Sequence, residues 1–287
     1  MVKNKILTPE LLIDSSCELG EGPIWEAENN RLIWLDIALG KVHIWNASND
    51  EHTCYQFSLK ITALAKNKLG QYIAASNQGF VALDFERCTF IPIVDPEYDK
   101  PNNRFNDGKL DAYGRFWAGS MDEVNGEKGA GKLYMLNEDG RVETKISEVT
   151  CSNGLGWNKD NDRFYFIDSL AYNVVEYDFD LASGKISNKK VLYTFPEEEG
   201  LPDGMCVDAN GNLWVAVWGA GKVVQIDIHQ KIVVQEIHVP AKQVTSCAFG
   251  GINMNDLFIT TARIVLSESQ LQKTPQAGAV FCVRNVV

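Results

Sequence analysis

Seven residues, Asn102-Asn103-Arg104-Phe105-Asn106-Asp107-Gly108, place three side-chain amides, a guanidinium and a carboxylate in one stretch. A plain surface turn needs one or two such groups. Three shorter segments share the character: Gly20-Glu21-Gly22-Pro23, Ser152-Asn153-Gly154 and Pro202-Asp203-Gly204. Together they offer carboxylate and amide oxygen, the donors that hard divalent cations such as Ca²⁺, Mg²⁺ and Mn²⁺ accept. Zn²⁺ also takes carboxylate oxygen, though it more often takes His or Cys. The four histidines, His43, His52, His229 and His238, form no HxH or HExxH pattern, so a His-built zinc site is not expected. Ser120, Ser152 and Ser246 lack a GxSxG setting and a paired His, which argues against a serine hydrolase.

The chemistry requires that these distant segments meet, and the rest of the chain indicates how. Short aromatic or β-branched runs begin at Leu32, Tyr72, Phe116, Phe164, Leu213 and Leu257. Each has Gly, Asn or Asp one or two residues before it, as strands do. The starts are separated by 40, 44, 48, 49 and 44 residues. A weak repeat of that length, with several short strands per unit, predicts an all-β, six-bladed β-propeller. An apolar segment within residues 3–13 and a last strand at Gly278–Val283 predict that the N-terminal strand completes the final blade and leaves no open edge. No Pro/Gly/Ser linker interrupts the chain, so one domain over residues 1–287 is expected.

In a propeller, equivalent positions of all blades lie around one axis. Ten or eleven residues before each run stand Glu21, Thr62, Asn106, Asn153, Asp203 and Ser246. All six present oxygen, which predicts a central metal site at the channel mouth. Asn-Gly and Asp-Gly are also ordinary turn dipeptides; the shared register is what favours a ring. Asp36 and Asp168, which follow strand runs, read as turn-binding residues. The glycine-bearing loop Glu123–Lys132 could cover a site or be an insertion.

Composition narrows the partners. The net charge of −11 argues against nucleic acid or an anionic membrane. Seven dispersed cysteines without a CxxC pair fit reduced thiols. No signal peptide and no apolar run of about 18 residues is seen, so a cytoplasmic protein is expected.

The motifs Cys17-Glu18-Leu19-Gly20-Glu21-Gly22-Pro23-Ile24-Trp25, Asn102–Lys109, Ser152-Asn153-Gly154-Leu155, Pro202-Asp203-Gly204-Met205-Cys206, Gly211–Ala216 and Thr245–Gly251 resemble the senescence marker protein/gluconolactonase/luciferin-regenerating-enzyme family, in order and over almost the full length. Its regucalcin-like members are the nearest in pattern. The resemblance implies a six-bladed propeller holding one divalent cation (Ca²⁺, Zn²⁺, Mn²⁺ or Mg²⁺) on Glu21, Asn153 and Asp203. It implies hydrolysis of small-molecule sugar lactones, with Asp203 activating water and Arg104 and Asn106 holding substrate. Regucalcin-like members carry a further substrate-contacting carboxylate; in Gly119-Ser120-Met121-Asp122-Glu123-Val124 its place falls on Val124, and Glu123 one residue earlier is the expected substitute. Two alternatives remain open: a calcium-binding regulatory protein, and a metal-dependent organophosphate ester hydrolase. A monomer or weak homodimer is expected.

Overall fold

The computed structural model describes residues 7–286, so residues 3–6 of the predicted N-terminal segment lie outside the described residues. Six four-stranded antiparallel units follow one another along the chain. We number them blades 1 to 6. Their innermost strands are Gly20–Glu26, Ile61–Lys66, Asn103–Leu110, Ser152–Trp157, Leu201–Val207 and Gln243–Gly250. Each innermost strand lies against that of the next blade, and the sixth lies against the first. The circle of contacts is therefore closed, as in a β-propeller. A single pairing of Trp218 with Gln243 also joins blades 5 and 6 at their edges.

The second strand of each blade carries the apolar run that the sequence shows. Arg31–Asp36, Phe116–Asp122, Leu213–Trp218 and Asp256–Ala262 are buried almost throughout. Neighbouring blades cover both faces of these strands, which explains continuous apolar runs in place of alternation. The outermost strands are mostly exposed and polar, as in Glu51–Gln56 and Lys185–Thr194, which suits an edge that must not recruit another strand. Within the last blade, Glu10–Ile13 pairs with Val280–Val283, Glu10 facing Cys282. The predicted closure by an N-terminal strand is present.

Several Asn and Asp residues serve turns. Asp111 accepts from the backbone of Tyr113 and Arg115, and also from the Trp117 indole. Asp208 does the same for Asn210, Asn212 and Trp214. Asp36 accepts from the backbone of Glu18 and Leu19, and Asp168 from that of Thr150 and Cys151, as expected. A short helix, Glu268–Lys273, opens on a reciprocal cap between Ser267 and Gln270. No helix among the described residues is long and apolar enough to cross a membrane.

Candidate functional site

Every innermost strand loses its regular pairing at the ring position. The breaks fall between Glu21 and Ile24, Ile61 and Ala63, Phe105 and Gly108, Asn153 and Leu155, Pro202 and Met205, and Val244 and Ser246. An extra residue in one strand bends it and re-aims a side chain. Six bulges at one level account for six polar side chains at one level. Glu21, Thr62, Asn106, Asn153, Asp203 and Ser246 are all buried, none more than 9% exposed.

The glycines after Asn153 and Asp203 do not turn the chain. Gly154 and Gly204 lie inside strands, and neither has a positive φ. They allow close approach instead: a Cβ on Gly154 would stand 2.7 Å from the Asp203 carbonyl, and one on Gly204 would stand 2.1 Å from Ser246 Oγ. Asn-Gly and Asp-Gly here are blade-contact signals, so the turn explanation of these dipeptides fails on the backbone itself.

Hydrogen bonds tie the ring together. Asn106 Nδ2 donates to the Ser152 carbonyl at 2.7 Å and to Asn153 Oδ1 at 3.2 Å, linking blades 3 and 4. Asn153 Nδ2 donates to Ser169 Oγ at 2.9 Å, which fixes the amide and turns Oδ1 toward the Asn106 side. Arg104 is 8% exposed. Its Nη1 donates to Asn106 Oδ1 at 2.7 Å and to the Phe105 carbonyl at 2.8 Å. Its Nε donates to Glu123 Oε1 at 2.8 Å, while Lys60 Nζ donates to Glu123 Oε2 at 2.7 Å. Glu123 thus stands at the rim between two cations, which outweigh the effect of its partial burial and hold its pKa down.

The carboxylates behave differently. Burial, and then the charge of Asp107, push Glu21 well above the ordinary range. Burial, and then the charges of Glu21 and Asp107, do the same to Asp203. Asp107 is raised by burial, with Lys109 opposing. Glu21 accepts from the backbone of Gly22, and none of the three acids takes part in an ion pair among the described residues. Three mutually repelling buried acids without a salt-bridge partner are costly. Arg104 acts on Glu21 and Asp203 only as a lesser opposing charge.

Among the described residues, no three His, Cys, Asp or Glu side chains form a ready cage for a metal. The oxygen set here is mixed: two unpaired buried carboxylates, Glu21 and Asp203, with the oriented amide of Asn153. Its chemistry fits a hard divalent cation, which takes oxygen and offsets both negative charges. Beyond Asp107 and Ser246 the channel widens into a cavity of about 540 Å³, with Ile24, Trp25, Leu64, Tyr72 and Leu110 in its largely apolar wall.

Sequence reasoning assigned no role to Ser169, Lys60 or Lys109, which hold or oppose the residues it named. Ser169 follows the second strand of blade 4 directly after Asp168, outside the ring register. Its role depends on a contact that no local pattern marks. Asp107 stood in the polar stretch beside Asn106 without an assigned role.

Comparison with known proteins follows this geometry. Residues 19–263 match the model of the SMP-30/Gluconolactonase/LRE-like region. Regucalcin of Sus scrofa is 38% identical over 276 residues, covering 95% of this chain and 92% of that protein. YvrE of Bacillus subtilis (strain 168), named as a proposed sugar lactone lactonase, is 40% identical over 268 residues, covering 93% of this chain and 91% of that protein. The crystal structure of a calcium-binding protein, regucalcin, from Agrobacterium tumefaciens superposes with a TM-score of 0.92 at 27% identity, covering 97% of this chain and 94% of that one. A chain with six bulged inner strands, matched over most of its length in both sequence and fold, is a member of the SMP-30/gluconolactonase/LRE-like family.

Proposed function

We propose that the protein is a divalent-metal-dependent lactonase of the gluconolactonase type, acting on sugar lactones at the mouth of the channel. The observation that carries the reading is the pair of buried, unpaired carboxylates, Glu21 and Asp203, set beside a buried guanidinium held in place from two sides. Glu21, Asn153 and Asp203 would hold the cation. Ca²⁺, Mg²⁺, Mn²⁺ and Zn²⁺ all accept such donors. When bound, the ion supplies Lewis acidity toward a carbonyl and offsets the two carboxylate charges.

The chain's own residues supply the remaining steps. Asp203 takes the proton of the attacking water as its oxygen bonds to the lactone carbonyl carbon. A carboxylate that shares a cation is a weak base on its own, so the part of Asp203 is to orient the attacking water and to receive its proton. The ring C–O bond then breaks, and the same proton is delivered to the leaving ring oxygen, giving the hydroxy acid. Arg104 donates its remaining N–H groups to sugar hydroxyls and to the nascent carboxylate. Asn106 keeps the second lone pair of Oδ1 for a substrate hydroxyl while it aligns Arg104 with Asn153. Glu123 contacts substrate at the rim and holds the guanidinium plane.

A protein that only bound calcium would not need this arginine system next to the ion. The names of the relatives, one a lactonase and one a calcium-binding protein, fit a single site that does both. The test is Asp203→Ala, followed as acid release from gluconolactone after metal removal and restoration. The expected loss is roughly 100-fold or more. Wild-type turnover in a folded variant would end this mechanism.

A further inference from the structure

We propose that a second cavity at the channel mouth, between blades 2 and 3, binds a sugar ring carried as a substituent on the lactone. The preferred substrate is then a glycosyl aldonolactone, in which a pyranose is linked to the lactone-bearing sugar. This inference rests on the lactonase reading above and adds its substrate class. Only the lactone C–O bond is hydrolysed; the glycosidic bond is untouched.

The cavity holds about 420 Å³, inside the roughly 300–1,000 Å³ range of small-molecule sites. Its wall includes Asn77, Gln78, Asp95, Tyr98, Asn103 and Arg104. Arg104 connects it to the ring, since the same guanidinium bonds Asn106. A ligand reaching over Arg104 from the ring enters this space.

The unspent polar atoms define the chemistry. Asn77 Oδ1 accepts from the Lys60 backbone, which leaves its NH₂ group to donate. Asn103 Nδ2 is committed to Glu97 and to the Ala130 carbonyl, which leaves Oδ1 to accept. One Asp95 oxygen receives the Glu97 backbone N–H, and the other faces no donor among the described residues. The Gln78 side chain has no partner among the described residues, and that residue is exposed. Free donors and free acceptors therefore line one space, as sugar hydroxyls require, since each both donates and accepts.

Tyr98 adds an apolar face. Its side chain is 84% exposed, with no hydrogen bond or ring partner among the described residues. A tyrosine left standing at a polar cavity offers the flat surface on which the C–H face of a pyranose packs. A lactone with an alkyl tail fits poorly, because such a tail would strand the amide and carboxylate atoms without partners. A phosphorylated sugar fits poorly as well, because Asp95 and Glu97 line the space and the two cations there, Arg104 and Lys100, already face Glu123 and Glu97.

The experiment compares gluconolactone with cellobionolactone and maltobionolactone in the metal-loaded full chain, for wild type, Tyr98→Ala and Asn77→Ala. Wild type is expected to have the higher kcat/KM on at least one disaccharide lactone. Tyr98→Ala should lower that value roughly tenfold, mainly through KM, while gluconolactone turnover stays within about twofold. Equal losses on both substrate types, or no loss on either, overturn the subsite. Wild-type hydrolysis of gluconolactone but of neither disaccharide lactone also overturns it and leaves the lactonase reading standing. Absence of turnover on all three sinks both.

Discussion

The buried carboxylates make a thermodynamic prediction that does not depend on any substrate. Glu21 is raised from 4.5 to about 8, first by burial and then by Asp107. In the metal-free folded protein at pH 7 it keeps its proton, whereas in the unfolded chain it is ionised. The folded state binds more protons between pH 4.5 and pH 8, so stability falls as pH rises through that window. At pH 7 the distance from 4.5 amounts to about 3 kcal/mol, at roughly 1.4 kcal/mol per pH unit. Glu21→Gln removes this cost and keeps an oxygen for the Gly22 N–H, which the carboxylate now accepts at 2.8 Å. The variant should therefore be more stable than wild type in EDTA at pH 7, by up to about 3 kcal/mol, or about 6 °C in Tm for a chain of this size. The gap should close at pH 4.5 and shrink or reverse with saturating Ca²⁺, because an ion bound only to the folded wild type stabilises it by mass action. Thermal and urea unfolding across pH, with and without Ca²⁺, measure all of this. If Glu21→Gln is less stable than wild type in EDTA at pH 7, the carboxylate is not strained and the reasoning fails.

Three further outcomes follow from the same geometry. His43 is buried beside Trp34 and held to about 4 by burial, then by His52 and Lys41. The unfolded chain binds the extra proton, so stability is intact above pH 6.5 and falls by up to about 3 kcal/mol as pH drops toward 4. Measured in the Glu21→Gln background, His43→Phe should flatten that slope. Ser169→Ala removes the strongest hold on the Asn153 NH₂ group, now at 2.9 Å, and should weaken Ca²⁺ binding roughly 10- to 100-fold by calorimetry, with unchanged affinity contradicting the assigned orientation. Gly154→Ala sets a Cβ 2.7 Å from the Asp203 carbonyl, so it should lower kcat by an order of magnitude or more while circular dichroism stays that of an all-β protein.

The repeat was legible because the second strand of each blade is covered on both faces and writes an uninterrupted apolar run. The ring was legible because the bulge fixes one polar residue ten or eleven positions before that run. Lys60 and Ser169 were not legible, because each reaches the site from a loop at the end of a strand, where position follows from contact and not from period. The short helix at Glu268–Lys273, capped by Ser267 and Gln270, stands outside the strand repeat and no expectation covered it. Glycine misleads in the opposite sense. Next to Asn153 and Asp203 it resembles a turn, while its real function is to let neighbouring blades close on the site.

The central claim is that lactone hydrolysis depends on one divalent cation held at the channel mouth. The direct measurement is acid release from gluconolactone by the purified chain, before chelation, after it, and during titration back with Ca²⁺, Mn²⁺, Mg²⁺ or Zn²⁺, alongside metal content. The account predicts that turnover falls by roughly 100-fold on chelation and returns in proportion to about one bound ion per chain, and that it does not return in Asp203→Ala. Undiminished turnover in the metal-stripped protein would contradict it.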